Sequence, residues 1–350
     1  MRFGTWGFEM SNLIIDGSRG EGGGQILRSS LAISMISQRP ICVTNIRKGR
    51  PKPGLMRQHL TAVQAAAQIC NARVTGDCIG SCELTFEPNA VVPGEFRFSI
   101  GTAGSTTLVL QTILPALVIA SGPSTLILEG GTHNPLAPPF DFLANSFLPL
   151  INRMGPQVAV ELERHGFFPA GGGRFRVAIT PTDRLRPLSL VERGEIVDRR
   201  AIALISNLSP EIARRELKVL GEKLGWNDSA WTVAEAPNSP GPGNVLFVEI
   251  ETPQLTEVFT GFGERGIRAE RVAERLVHDV RRYLAAEVPV GEYLADQLLL
   301  PLAMAGGGEF VTLPLSRHST TQIELLEQLM DVKVEVHELR KDARRVVVRS

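Results

Sequence analysis

Short apolar runs of strand length alternate with longer helix-like runs along almost the whole chain, and glycine marks the joints between them. Triple glycines stand at Gly22-Gly23-Gly24, Gly171-Gly172-Gly173 and Gly306-Gly307-Gly308, with a weaker pair at Gly130-Gly131. Glycine lets a backbone turn with positive φ or approach a neighbour closely. Recurrent joints of this kind point to a duplicated α/β unit in which a tight glycine turn joins similar elements. Their irregular spacing excludes a short-period solenoid.

The patterning predicts strands at 13–16, 41–46, 73–75, 83–87, 95–100, 124–129, 157–162 and 173–179. Helices are expected at 25–37, 55–70, 105–120 and 141–154. Such alternation argues for layered α/β or α+β packing. The character changes near Glu192. A strand at 196–204 is followed by a helix opened by Ser209-Pro210, with proline at its first position. Strands at 245–251 and 256–261 follow a Pro/Gly loop at 237–243. A helix at 268–287 then carries the i, i+4 pairs Glu270/Glu274 and Arg271/Arg275 on an exposed face. This βαββα block, residues 192–284, has the size of a small domain. It is expected to interrupt a large domain made of residues 12–191 and 285–350. Residues 1–11 carry Trp6 and Phe8 but no apolar core of a signal peptide, and read as a short N-terminal extension.

Lys and Arg total 37 and balance 37 Asp and Glu, so no global field attracts nucleic acid or a membrane surface. A polyanion site has to be a local patch. One exists: seven basic residues lie from Arg28 to Arg57 with no acidic residue among them. Cys42, Cys70, Cys78 and Cys82 match no zinc spacing, and a reduced, cytoplasmic protein is the economical reading. The most apolar stretch, residues 108–120, is too short to span a bilayer.

Four segments carry chemistry. In the first, Glu21-Gly22-Gly23-Gly24-Gln25-Ile26-Leu27-Arg28 joins the first strand to the first helix. Helix-start amides favour anions, although neither a P-loop nor a dinucleotide fingerprint is present. Glu21 is a candidate for a divalent metal carried by a nucleotide, and Arg28 for a phosphate. Next, a basic loop running from Ile46 through Arg47, Lys48, Arg50 and Lys52 to Gln58 and His59 suits a phosphate ester or an RNA end. The third segment, from Gly130 to Phe142, offers prolines and phenylalanines as an apolar wall for a purine. Tyr293 is placed to stack from the other side, and Asp296 to address a ribose or metal. Finally, His318 lies in Pro314-Leu315-Ser316-Arg317-His318-Ser319-Thr320-Thr321-Gln322, where a neutral imidazole can act as a nucleophile towards phosphorus. His59, His133, His165, His278 and His337 read as packing or surface residues.

From about Leu13 onwards the chain resembles the RNA 3′-terminal phosphate cyclases. The resemblance rests on DGSRGEGGGQILR, IRKGRPKPGLMRQHL, GTAGSTTLVLQTILPAL, GGTHNPLAPPFDF, RHGFFPAGGG, EYLADQL and the segment around His318, in that order. It implies a large domain of repeated βαβαββ-type units like those of the enolpyruvyl transferases, with 192–284 as the inserted domain. His318 would be the residue that becomes adenylylated, and Glu21 a metal contact. Arg28, Arg47, Arg50 and Gln58 would face the RNA or its phosphate. Gln111, Pro138, Phe142, Tyr293, Asp296 and Gln297 would line the ATP site. The implied activity is ATP-dependent conversion of an RNA 3′-phosphate to a 2′,3′-cyclic phosphate, with Mg or Mn as divalent cation. The basic loop, far in sequence from Tyr293 and Asp296, is expected to act on the RNA end after adenylylation. One departure stands out: the family often has asparagine where this chain has Gln322, which puts a local hydrogen bond in doubt. The alternative reading is a non-catalytic relative in ribosome assembly, but such relatives lack the histidine.

Overall fold

The computed structural model describes residues 13–350, so the expected N-terminal extension lies outside the described residues. The chain opens with β1 (Leu13–Asp16), α1 (Gln25–Ser37), β2 (Ile41–Thr44), α2 (Arg57–Cys70), β3 (Arg73–Thr75) and β4 (Leu84–Glu87). These strands form one sheet in the order β1-β2-β4-β3, with β1 and β2 parallel and the rest antiparallel. The same sequence of elements follows in β5 (Glu95–Ser99), α3 (Thr106–Leu117), β6 (Ser124–Gly130), a helical stretch made of α4 (Phe140–Phe142) and α5 (Leu148–Arg153) joined by a π-turn, β7 (Gln157–Arg164) and β8 (Gly173–Thr180). Its sheet order, β5-β6-β8-β7, repeats the first.

A third unit begins with β9 (Ser189–Leu190) and is interrupted by β10 (Asp198–Ser206), α6 (Pro210–Leu224), β11 (Trp231–Glu235), β12 (Gly243–Glu251), β13 (Thr256–Phe262) and α7 (Ala269–Ala286). It resumes with α8 (Glu292–Met304), β14 (Gly307–Thr312), α9 (Arg317–Leu329), β15 (Lys333–Arg340) and β16 (Ala343–Arg349). Its sheet, read β9-β14-β16-β15, has the same order again. The fold is thus mixed α/β with three βαβαββ units. The triple glycines do not mark equivalent joints. The first lies between β1 and α1, the second runs from the β7–β8 loop into the first residue of β8, and the third runs from the end of α8 into the first two residues of β14, so each serves a different local turn.

Each repeat sheet turns one face to the helices. Along β6 the residues alternate between buried and half-buried, which puts Leu126 and Leu128 inwards. Of the 12 residues of α3, only Gln111 and Pro115 escape burial. Pro115 has no N–H to give the Gln111 carbonyl one turn back. The stretch from Phe140 to Arg153 is not a regular helix as expected: a π-turn at Leu143–Phe147 separates short α-helical ends. Pro149 cannot donate to the Asn145 carbonyl, and the ladder widens by one residue just before it.

The interrupting block is βαβββα rather than the expected βαββα. The unforeseen strand, β11, is an edge strand with no buried residue, so it has no alternation to betray it. By contrast, β12 is buried along nearly its whole length, because both of its faces are covered. Leu246, Val248 and Ile250 pack with the cores of α6 and α7. Val245 and Phe247 join the core of the repeats. On α7, like charges at i, i+4 do not pair with each other. Glu270 pairs with Arg215 at 2.6 Å, Arg271 with Glu274 at 3.4 Å and Arg275 with Glu264 at 3.1 Å.

Candidate active site

A cleft of about 730 Å³ opens where the first, second and third repeats and β13 meet, a volume suited to a nucleotide-sized ligand. Glu21, Arg28, Arg47, Arg50, Gln58, Gln111, Pro138, Phe142, Tyr293, Asp296, Gln297 and His318 all line it. The basic loop and the Tyr293/Asp296 pair, far apart in sequence, therefore share one cavity. Val258, Thr260 and Phe262, alternate residues of β13, complete the wall.

His318 sits in the first turn of α9. Ser316 caps that helix, its Oγ accepting from the Ser319 N–H at 3.1 Å. The helix start is tied to the β1–α1 loop: the Glu21 N–H donates to Thr321 Oγ1 at 2.9 Å, and Arg317 Nη2 to the Gly20 carbonyl at 2.7 Å. The imidazole is held by Gln25, whose Oε1 lies 2.8 Å from His318 Nδ1. Gln25 Nε2 faces the other way, towards the His318 carbonyl at 3.1 Å and Gln322 Oε1 at 3.5 Å. Its oxygen can only accept, so the proton sits on His318 Nδ1 and Nε2 keeps its lone pair. Gln322, in the position of the departure from the family pattern, accepts from Ser29 Oγ at 2.6 Å and helps fix Gln25. Burial, then Arg28 and Arg50, push the His318 pKa below its ordinary value of 6.5, which keeps the ring neutral near pH 7.

Two contributors were not foreseen. Gln25 lies within a recognised motif but has no local signal for contact with a residue 293 positions away. His59, read as packing or surface, lines the cleft. Its Nδ1 accepts the Met56 N–H at 3.2 Å at the start of α2, so its proton is on Nε2. A Cβ on Gly24 would lie 2.5 Å from that Nε2 and 2.7 Å from Arg28 Nη1. Only glycine leaves room for these two groups beside the backbone. Burial, followed by Arg28 and Arg47, drives the His59 pKa down to about 3. His59 is a neutral hydrogen-bond donor whose signal was its place, two residues into α2 behind the basic loop.

Glu21 forms an ion pair with Arg50, and its Oε2 accepts the Gly23 N–H at 2.7 Å. Arg47 Nη1 is engaged by its own loop, donating to the carbonyls of Lys52 at 2.7 Å and Gly54 at 2.8 Å. Gln58 Oε1 accepts the Ser105 N–H at 3.0 Å. Also in the cleft lining, Gln111 donates to Gln297, whose Nε2 donates to Asp296 Oδ1 at 3.2 Å. Burial raises the Asp296 pKa to about 7, and the same cause lowers that of Arg28 to about 10.

The apolar wall is also anchored. Thr107 Oγ1 donates to the Pro138 carbonyl at 2.7 Å. His133 Nε2, 2.7 Å from Asp141 Oδ2, staples the ends of the loop that carries Pro135 to Pro139. Tyr293, which also lines the cleft, is 64% exposed at the start of α8. Glu257 of the interrupting block fixes that start by accepting the Gly291 N–H at 2.8 Å. The cleft thus brings together an exposed tyrosine, a proline and a phenylalanine, a cluster of cations, and an oriented neutral imidazole.

A sequence profile described as RNA 3′-terminal phosphate cyclase matches residues 19–336. The chain is 48% identical over 344 residues to the "RNA 3′-terminal phosphate cyclase" of Koribacter versatilis (strain Ellin345), covering 98% of this chain and 96% of that protein. It is 50% identical over 313 residues to the protein of the same description from Ectopseudomonas mendocina (strain ymp), covering 89% and 92%. To that of Ralstonia nicotianae (strain ATCC BAA-1114 / GMI1000) it is 49% identical over 323 residues, covering 92% of each.

Proposed function

The chain belongs to the RNA 3′-terminal phosphate cyclase family, and from that premise we propose that it converts an RNA 3′-phosphate to a 2′,3′-cyclic phosphate at the expense of ATP. The observation that carries the reading is the His318–Gln25 hydrogen bond inside the cation-lined cleft. It leaves Nε2 as the nitrogen able to attack.

In the first step His318 Nε2 bonds to the α-phosphorus of ATP, the bond to the bridging oxygen breaks and pyrophosphate leaves. Arg28, Arg50 and the His59 Nε2–H offset the charge on the phosphates. Adenine stacks between Tyr293 and the Pro138/Phe142 wall, while Asp296 and Gln297 address the ribose. In the second step an oxygen of the RNA 3′-phosphate attacks the same phosphorus and the P–N bond breaks, giving RNA(3′)pp(5′)A. Finally the neighbouring 2′-OH attacks the 3′-phosphorus, loses its proton and expels AMP. That closure is intramolecular, so orientation of the terminal ribose supplies much of the rate. DNA lacks the attacking hydroxyl.

A divalent cation fits the donor set. Glu21 offers a hard carboxylate at the phosphate end of the cleft, and such cations are commonly held by one or two carboxylates together with substrate phosphates. Glu21 would exchange Arg50 for the ion, which supplies charge neutralisation on the triphosphate. We read 192–284 as an inserted domain that shapes the α8 side of the cleft. The free cysteines accord with a reducing compartment such as the cytoplasm. Among the described residues, no helix is long and apolar enough to cross a membrane.

Incubation with α-labelled ATP tests the reading. Wild-type protein should acquire acid-labile label, and 3′-phosphorylated RNA should discharge it with formation of cyclic ends. His318→Ala should take up no label. Undiminished labelling of His318→Ala, or no labelling of the wild type, would overturn it, and the latter would favour a non-catalytic relative.

A further inference from the structure

The RHGFFPAGGG segment forms the loop between β7 and β8, and none of residues 165–172 lines the cleft. Its two phenylalanines have opposite fates. Phe167 is 2% exposed and lies against His133 at 5.2 Å and His165 at 6.1 Å between ring centroids. Phe168 is 64% exposed. Leaving so much aromatic surface in water is unfavourable, and the loop is too well braced to hide it. The Gly171 N–H donates to the Phe167 carbonyl at 2.7 Å. Gly171 has φ +69°, and a Cβ there would come within 2.8 Å of the Ala103 backbone. Gly172 is packed as closely on Pro240. The ring is presented, not merely unburied.

The same segment carries an exposed cation, Arg164. Arg164 Nε donates to the Gly172 carbonyl at 2.6 Å. The neighbouring arginines Arg174 and Arg176 pair with Glu163, whereas Arg164 has no ion pair among the described residues. The loop is also continuous with the cleft. Gly171 abuts Thr102 and Ala103, and the same strand of backbone continues to Ser105, which is bonded to the cleft residue Gln58. The loop also packs on the segment that leads to the Pro138 wall, the His133 N–H donating to the Gly166 carbonyl at 3.1 Å.

We infer that Phe168 and Arg164 form a docking point for the single-stranded RNA upstream of the reacting 3′ end, the ring stacking on a base and the guanidinium meeting a phosphate. An exposed aromatic beside a free cation is the means by which proteins hold single strands without reading sequence, since every base has a π-face. A protein partner is the poorer fit, because one ring on a narrow loop offers far less area than a stable protein interface needs. The inference rests on the cyclase reading and adds to it a length dependence. An RNA long enough to reach Phe168 is held more tightly than a 3′-phosphorylated dinucleotide.

The test compares wild type, Phe168→Ala, Phe168→Trp and Arg164→Ala on a 3′-phosphorylated decamer and a 3′-phosphorylated dinucleotide, with labelling by ATP alone as a third measurement. Phe168→Ala should raise KM for the decamer about tenfold, the effect of losing one base–aromatic stack. KM for the dinucleotide and the rate of labelling should stay unchanged. Phe168→Trp should restore the decamer KM. Arg164→Ala should lower the dependence of decamer KM on salt by about one phosphate contact. An unchanged decamer KM in Phe168→Ala, with a wild type that cyclises, overturns this inference alone. An equal loss on both substrates with a lowered unfolding temperature makes the ring part of the fold and overturns it too. A wild type that cyclises neither RNA overturns the cyclase reading, and this inference with it.

Discussion

Removing the amide that orients His318 should slow adenylylation without removing the nucleophile. In Gln25→Ala the imidazole loses the acceptor 2.8 Å from Nδ1. A hydrogen bond of this kind contributes about 1 kcal/mol net. The ring also regains rotational and tautomeric freedom, worth about another 1 kcal/mol. The sum, about 2 kcal/mol, corresponds to a roughly 30-fold slower reaction. The assay is single-turnover labelling with α-labelled ATP at saturating nucleotide, so that ATP binding does not enter the rate. Gln25 is buried and also serves the His318 carbonyl and Gln322, so the thermal unfolding of the variant has to be measured alongside. Gln25→Glu separates orientation from charge. A carboxylate beside Nδ1 favours the imidazolium, so labelling should be lost at higher pH than in the wild type. A folded Gln25→Ala protein that labels within about threefold of wild type would show that Gln25 does not position the ring.

The pH profile of labelling should have two limbs. The neutral form of His318 reacts, and its pKa is lowered from 6.5, so its limb should fall below that value as pH drops. A second limb near pH 7 belongs to Asp296 and should vanish in Asp296→Asn; a single limb at or above 6.5 that survives this substitution would contradict both assignments. Replacing Arg47 and Arg50 together should slow both the labelling step and discharge to RNA, since they share the cleft with His318. Loss of discharge alone, with labelling intact, would restore a separate RNA site.

Features set by neighbouring residues were legible in the sequence. The helix opened by Ser209-Pro210 and the alternating strand β6 are of this kind, because capping and period-2 burial leave their mark within a few positions. The cleft residues were legible for another reason: they fall within spaced motifs that resemble a family. What stayed hidden depends on distant partners. Strand β11 buries none of its residues and exists because β10 accepts it as a parallel neighbour. Gln25 gains its role only where α9 folds back onto α1. His59 looked like an ordinary helix residue until Gly24 and Arg28 were brought against it. The three triple glycines pointed to repetition that the fold does contain, but they mark turns of unrelated kinds.

The contact between the β1–α1 loop and the start of α9 joins positions about 300 residues apart, as in the bond from the Glu21 N–H to Thr321. Most of the first repeat, the whole of the second, the interrupting block and the earlier part of the third lie between them. During synthesis, therefore, the basic loop and the segment of Pro138 and Phe142 emerge long before Tyr293 and His318, which both belong to the last unit. Competence arrives with the last unit to leave the ribosome, since domains fold as they emerge. On the proposed chemistry, a prematurely terminated chain lacking α9 would form no covalent adduct, because it lacks His318. On that reading, the order of the sequence keeps half-made copies chemically silent.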